Sequence, residues 1–126
     1  MSLGGYNMST KKKIEKELEK ENIIKEIKKA QTDVAVAEKF FQFVSDPELV
    51  DVAIYNLEAK KSRYRYLIKI AKEKGIEQLE LEVVADNDRA IALYKKIGFE
   101  KMGTFPHNMK YKDGTYADAY WMVKIL

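Results

Sequence analysis

Two side chains seven residues apart, Asn87 and Tyr94, have the types and spacing that could do chemistry. A phenol on the first turns of a helix, directed to a strand edge, can donate a proton to a sulfur anion, and an asparagine near a helix start can bond an amide-rich ligand. Each also has a purely structural reading, because Asn87 stands where a helix needs a cap and Tyr94 falls at core spacing, where a tyrosine packs. A second group, Lys60, Lys61, Arg63, Tyr64, Arg65 and Tyr66, places rings between cations and could stack along a nucleic-acid strand. On a helix these six point in several directions, which weighs against that use. The single histidine, His107, sits beside Pro106 in a loop, reads as an exposed bystander and cannot build a metal site alone.

The stretch that positions Asn87 and Tyr94 runs from Glu77 to Phe99, EQLELEVVADNDRAIALYKKIGF. Leu79, Leu81 and Val83 alternate with Glu80 and Glu82, the period-2 signature of a half-buried strand. Asp86, Asn87 and Asp88 then offer oxygens to the orphan amides of a helix start. Ala90, Ile91, Tyr94 and Ile97 recur at helical spacing until Gly98 closes the helix. The remainder reads as a long hairpin: a broken strand over Phe99 to Tyr111 with a bend at Pro106, a two-residue turn at Asp113-Gly114, and a strand from Thr115 to Leu126. Both faces of that last strand carry apolar residues, so both are expected to meet protein.

Ahead of this unit lie two helices. Residues 1–10, MSLGGYNMST, read as a disordered or appended leader. From Lys11 strong helix formers take over, and from Ile23 a seven-residue seam appears, with Ile23, Ala30, Ala37 and Val44 on one row and Ile27, Val34 and Phe41 on the other. Before Ile23 only Ile14 and Leu18 are apolar, so the helix is expected to fray or project there. Pro47 forces a break, with Asp46 or Ser45 capping a second helix whose apolar face includes Leu49, Val50, Ala53, Leu57, Tyr64 and Ala71 and which Gly75 ends. A short connection between two long amphipathic helices predicts an antiparallel hairpin.

The totals bound the answer. A chain of 126 residues can bury one core or two small interdependent modules. Absence of cysteine excludes disulfides, thiolate metal sites and cysteine nucleophiles, and fits a cytoplasmic setting. No apolar run is long enough to span a membrane. The net charge of +3 is spread thinly: residues 11–45 carry 9 basic against 7 acidic side chains, 46–76 carry 7 against 5, and 77–126 carry 7 against 8. That is no nucleic-acid footprint.

Two resemblances attach to these residues. Ala30 to Gly75 resembles the YaaL-like family, small helical bacterial proteins of unknown function, through the Asp46-Pro47-Glu48-Leu49 turn, Ile54-Tyr55-x-Leu57-x-Ala59, and Arg63-Tyr64-x-Tyr66-Leu67 ahead of Ala71-Lys72. It implies no chemistry. Residues 71–126 resemble the C-terminal half of the GCN5-related N-acetyltransferases, the GNAT family. The matching residues are Ala-Lys-Glu-Lys-Gly-Ile at 71–76, Leu-Glu-Leu-Glu-Val at 79–83, Asn87-x-x-Ala90-Ile91-x-Leu93-Tyr94, Gly98-Phe99-Glu100, Gly103-Thr104 and Asp113-Gly114-x-Tyr116-x-Asp118. This likeness implies acetyl-CoA as cofactor, a coenzyme A contact for Asn87, and for Tyr94 the role of general acid that protonates the departing thiolate.

The sequence departs from that family ahead of Ala71, where the family's N-terminal substrate half has no counterpart. Its members carry a glycine-rich loop ten to sixteen residues ahead of the alanine matched by Ala71, where free amides at a helix start cradle pyrophosphate. Here the window is Tyr55 to Lys61, YNLEAKK, with no glycine, inside a predicted helix. The strand that precedes the loop in the family has no counterpart either. The chain looks like a chimera, of α+β class: an antiparallel helical hairpin over 11–76 packed on a β-α-β-β unit over 77–126. The preferred expectation is a noncatalytic GNAT-derived module that forms a homodimer through an exposed strand edge or the helical seam. The alternative is an acetyl-CoA-dependent N-acetyltransferase whose missing parts come from a second chain.

Overall fold

The computed structural model describes residues 3–126, with side chains from Thr10 onward. The chain divides into two compact units, Met1–Ile76 and Glu77–Leu126. The first holds α1 (Leu3–Phe43) and α2 (Pro47–Glu73); the second holds β1 (Gln78–Val84), α3 (Asp88–Lys96), β2 (Glu100–Lys110) and β3 (Tyr116–Ile125). The fold is α+β, as the patterning predicted. The expected leader at 1–10 falls partly on residues 1 and 2, which lie outside the described residues. From Leu3 the backbone is helical, ahead of the expected start at Lys11, since extending a helix costs far less than nucleating one.

Asp46 caps α2, not Ser45: its backbone is extended (φ −69°, ψ 123°), and its carboxylate accepts from the Glu48 amide at 2.9 Å. Pro47 occupies the first helical position, where its missing N–H costs nothing. Two ion pairs fix the antiparallel direction, Arg63 to Glu26 at 2.7 Å and Lys74 to Glu19 at 2.8 Å. The latter pair holds the Lys74 ammonium above its ordinary pKa, chiefly through the hydrogen bond to Glu19. Ile27, Ala30, Val34 and Ala37 of α1 are buried, as are Ala53, Leu57, Tyr64 and Ala71 of α2. Small residues recur on both helices, so the backbones can approach closely.

The seam stops short of one expectation. Phe41 is 40% exposed and Val44 lies beyond the helix end, because α1 finishes at Phe43, ahead of the break at Pro47. Gln31 and Tyr64 are the polar members of the buried set. Burial pushes the Tyr64 phenol above its ordinary pKa, opposed by the nearby Gln31 side chain, yet its hydroxyl makes no hydrogen bond of good geometry.

The strand unit is a three-stranded antiparallel sheet in the order β1-β3-β2. Pairing Leu79 with Lys124, Leu81 with Met122 and Val83 with Tyr120 puts these six on one face. Leu79, Val83 and Met122 are buried there, while Glu80 and Glu82 on the other face of β1 are exposed. The opposite face of β3 buries Ala119 and Val123, so both faces of that strand meet protein as expected. The bend at Pro106 is a wide bulge: residues 106–108 fall between the pairs Phe105–Ala119 and Met109–Ala117. His107 there adopts φ 51°, donates its amide to Asp118 Oδ1 at 3.0 Å and stacks its ring on Tyr116.

The turn expected at Asp113-Gly114 is longer than two residues. Gly114 N–H bonds Tyr111 C=O at 3.0 Å and Tyr111 N–H bonds Thr115 C=O at 2.8 Å, with φ positive at Gly114 (89°) and not at Asp113. A two-residue type I′ turn needs both central residues at positive φ; the chain instead makes a type I turn followed by a left-handed glycine. Asp113 accepts from the Thr115 hydroxyl and amide, which hold its carboxyl below the ordinary value.

Candidate functional site

The strand that leads into the candidate site is β1, whose alternation buries Leu79 and Val83. Its last residue begins a turn, with Asn87 N–H bonding Val84 C=O at 3.0 Å and Ala85 N–H still tied to Asp118. The chain then enters α3. Asn87 is the cap: its side-chain oxygen accepts from the Ala90 amide at 3.2 Å. Asp88 in the first turn and Lys95 and Lys96 in the last complement the helix dipole. Asn87→Ala should cost about 1 kcal/mol through loss of that cap, read as a lower urea midpoint; Asn87→Asp should keep most of it. A midpoint unchanged in Asn87→Ala would contradict the capping role.

Tyr94 lies on the last turn of α3, on the same face as Asn87 and about 10 Å farther along the axis at 1.5 Å per residue. Its ring meets Phe99 edge-on, with centroids 5.8 Å apart. The helix end explains that contact. Phe99 N–H bonds Tyr94 C=O at 2.8 Å and Gly98 N–H bonds Lys95 C=O at 3.1 Å, with Gly98 at φ 99°. This is a Schellman ending, which brings the residue after the glycine against the third residue from the helix end. Lys124 Nζ donates to Ile97 C=O at 2.9 Å, setting a cation on the negative end of the dipole. It also anchors the end of α3 on the Leu79–Met122 face of the sheet. The structural readings of both residues are therefore realised in hydrogen bonds and packing.

One polar pair at the head of α3 was not visible in the sequence. Tyr111 donates its hydroxyl to Asp86 Oδ2 at 2.7 Å, and that bond holds the phenol above its ordinary pKa. Twenty-five positions separate the partners, so no local spacing could have signalled them.

The second group of candidates does not form one surface. Arg63 is paired with Glu26, Tyr64 is buried and Tyr66 is exposed. Among the described residues no three His, Asp or Glu side chains converge as a metal site would need. No described helix is long and apolar enough to cross a membrane.

Tyr55 to Lys61 lie in the middle of α2, which runs unbroken from Pro47 to Glu73. A residue inside a helix donates its amide to the carbonyl four positions back, so these amides are committed. The described ends of α2 are capped elsewhere. The residues present at this window therefore do not fit a pyrophosphate.

Comparison with known proteins divides the chain at the same helix. A family model described as Acetyltransferase (GNAT) family matches residues 62–99, beginning just past that window. The chain is 44% identical over 52 residues to L-amino acid N-acetyltransferase AaaT of Escherichia coli (strain K12), a stretch covering 40% of this chain and 30% of that protein. Among solved structures it is similar to the ribosomal-protein-S18-alanine N-acetyltransferase of Escherichia coli, at 31% identity and TM-score 0.46, covering 53% of this chain and 43% of that one. A GNAT-family acetyltransferase from Streptococcus pneumoniae gives 32% identity and TM-score 0.45, covering 49% and 38%. The chain thus spans less than half the length of each of these relatives. A second model, described as Protein of unknown function (DUF2508), matches residues 6–78 and overlaps the first over residues 62–78. The overlap is the expected signature of a chimera joined through a helix ending common to both. Matched in this way over more than half of its length, the chain belongs to the family of Protein of unknown function (DUF2508), with an acetyltransferase-like segment following on.

Proposed function

We propose that this chain is a self-associating, noncatalytic module that keeps the back half of an acetyltransferase fold without its acetyl-CoA site. One observation carries the reading: the residues where a phosphate loop would stand, 55–61, form the middle of α2 and include no glycine. Absence of cysteine suits a reducing compartment, and the cytoplasm is the proposed location. Oligonucleotide binding is no part of this function.

A second reading has its own support. Among the described residues β1 is hydrogen-bonded on one side only, so a strand from a second chain could pair there and bring a phosphate loop with it. Tyr94 would then serve as general acid and Asn87 as a coenzyme A contact.

Calorimetric titration and thermal shift with acetyl-CoA separate the two. Ligand at 100 times its dissociation constant stabilises the native state by about 2.7 kcal/mol. The module predicts no heat and no shift at millimolar acetyl-CoA. A saturable shift for the chain alone would overturn it.

A further inference from the structure

The strand edge is a poor surface for a second copy. The bonds Leu126 N–H to Glu77 C=O and Ala85 N–H to Asp118 C=O mark the odd-numbered residues of β1 as those facing β3. Gln78, Glu80 and Glu82 therefore turn their backbone groups to the open edge. A two-fold antiparallel pairing centred on Leu81 sets Glu80 opposite Glu82 twice, and like charges directly opposite destabilise a ladder. The seam residues Ile27, Ala30, Val34 and Ala37 are already buried.

One flank of the hairpin, beside the seam, offers more. The pairs of Arg63 with Glu26 and Lys74 with Glu19 bridge α1 and α2 on this flank. They also fix which residues stand at the same height: with 26 level with 63, Asp33 falls level with Asn56 and Phe40 with Leu49. Steps of seven, the repeat of the seam, carry each row along the flank. Next to the seam α1 has Glu19, Glu26, Asp33 and Phe40, and α2 has Leu49, Asn56 and Arg63. One row farther out α1 has Asn22, Lys29, Val36 and Phe43, and α2 has Val52, Ala59 and Tyr66.

Both rows turn apolar at the closed end, where Val36, Phe40, Phe43, Leu49 and Val52 are 44–69% exposed. Tyr66 on the outer row is 60% exposed. With about 150–250 Å² for a whole aromatic side chain, these six expose apolar surface on the order of 500 Å², against about 800 Å² per partner in a standard interface. That is more than a solvated face ordinarily carries in one place.

From this arrangement we infer that two copies pair through this flank as a four-helix bundle, about a two-fold axis parallel to the helices. Such an axis lays α1 of each copy on α2 of the other at the same height, as an isologous dimer allows. Because Glu26 is level with Arg63 and Glu19 with Lys74 inside one chain, each glutamate then also meets its basic counterpart in the second copy. Phe40 meets Leu49, Asp33 meets Asn56, Val36 meets Val52 and Lys29 meets Ala59. Where the outer row continues to the open end, Glu15 and Glu73 are the one like-charged pair, with Lys12 a turn from Glu15. An axis across the helices, centred on Glu26, would instead lay α1 on α1 and set the acidic row Glu19, Glu26 and Asp33 against itself. Charges in the rows beside a seam choose orientation in this way. The inference rests on the self-association proposed above and names its surface.

The test is light scattering after size exclusion on the full chain, with two variants. The wild type is expected at twice the chain mass. Val36→Glu with Val52→Glu sets glutamates opposite each other in the dimer, at positions that are exposed within one chain. This variant is expected at the chain mass with helical circular dichroism retained. Exchanging the ion pair, Glu26→Arg with Arg63→Glu, preserves it within a chain and between identical copies, so that variant alone is expected at twice the mass. Mixed in equal amounts with isotopically labelled wild type, it opposes like charges at both pairs. Native mass spectrometry should then find heterodimers well below the half that random pairing gives. A monomeric wild type would overturn self-association altogether. A dimeric Val36→Glu, Val52→Glu variant, or heterodimers at one half, would leave self-association standing and overturn this surface.

Discussion

Met122→Asp abolishes the cooperative unfolding of the strand unit. Met122 lies on β3, the central strand, paired with Leu81 on one side and Lys101 on the other, and none of its surface reaches solvent. A carboxylate there has lost its water and faces the apolar set of Leu79, Leu81 and Val83. Lys101, opposite it on β2, already sits over the Tyr120 ring; desolvating the carboxylate still costs several kcal/mol, and a small unit has little more than that to lose. Met122→Leu, close in volume, should cost under about 1.5 kcal/mol. Far-ultraviolet circular dichroism separates the units, because the 41 and 27 residues of α1 and α2 dominate the helical signal. Retention of that signal with loss of the near-ultraviolet bands of Trp121 and its neighbours is the expected outcome. A native-like melt in Met122→Asp would mean that the residue is not buried.

What could be read from the sequence was periodic or punctuated. Glu80 and Glu82 between three apolar residues fixed both the strand and its face, because a one-residue slip would expose every buried side chain. Pro47 and Gly98 located helix ends through backbone rules that admit few exceptions. The same rules were less decisive at Asp113-Gly114, where the dipeptide suits either a type I′ turn or a type I turn with a left-handed glycine. Only the hydrogen bonds from Gly114 and Tyr111 distinguish them. Phe41 was misread because heptad spacing says nothing of where the partner helix begins.

The candidate site was legible in part, for a related reason. Asn87 and Tyr94 could each be placed on α3 from local signals, yet those signals were the ones that make a cap and a Schellman ending. Chemistry and architecture use the same residues there, and spacing cannot rank them. The pair of Tyr111 and Asp86 was invisible because sheet order sets it. The phosphate window was the clearest point, since a helix of ordinary formers leaves no amide free.

Ile27→Ala is the corresponding test of the hairpin, and it bears on why the window is closed. Ile27 is 1% exposed, and the small residues Ala30, Ala37 and Ala53 are buried in the same unit. Val34, Leu57 and Tyr64 are the larger members of that buried set, so a void is filled only by moving them or the backbone. The expected loss is about 2–5 kcal/mol, measured as a fall in the urea midpoint followed by helical circular dichroism. A loss below about 1 kcal/mol would mean that the helices close over the space. Glu26, beside Ile27, pairs with Arg63, so such a variant also loosens α2 next to the window 55–61. If committed helical amides alone exclude acetyl-CoA, loosening should let some bind. If the lack of glycine also matters, because close approach of several amides to a phosphate needs backbone conformations that side chains hinder, binding should stay absent. The sequence YNLEAKK favours the second outcome. Measurable acetyl-CoA binding by Ile27→Ala, with none by the wild type, would assign the closure to the helix alone.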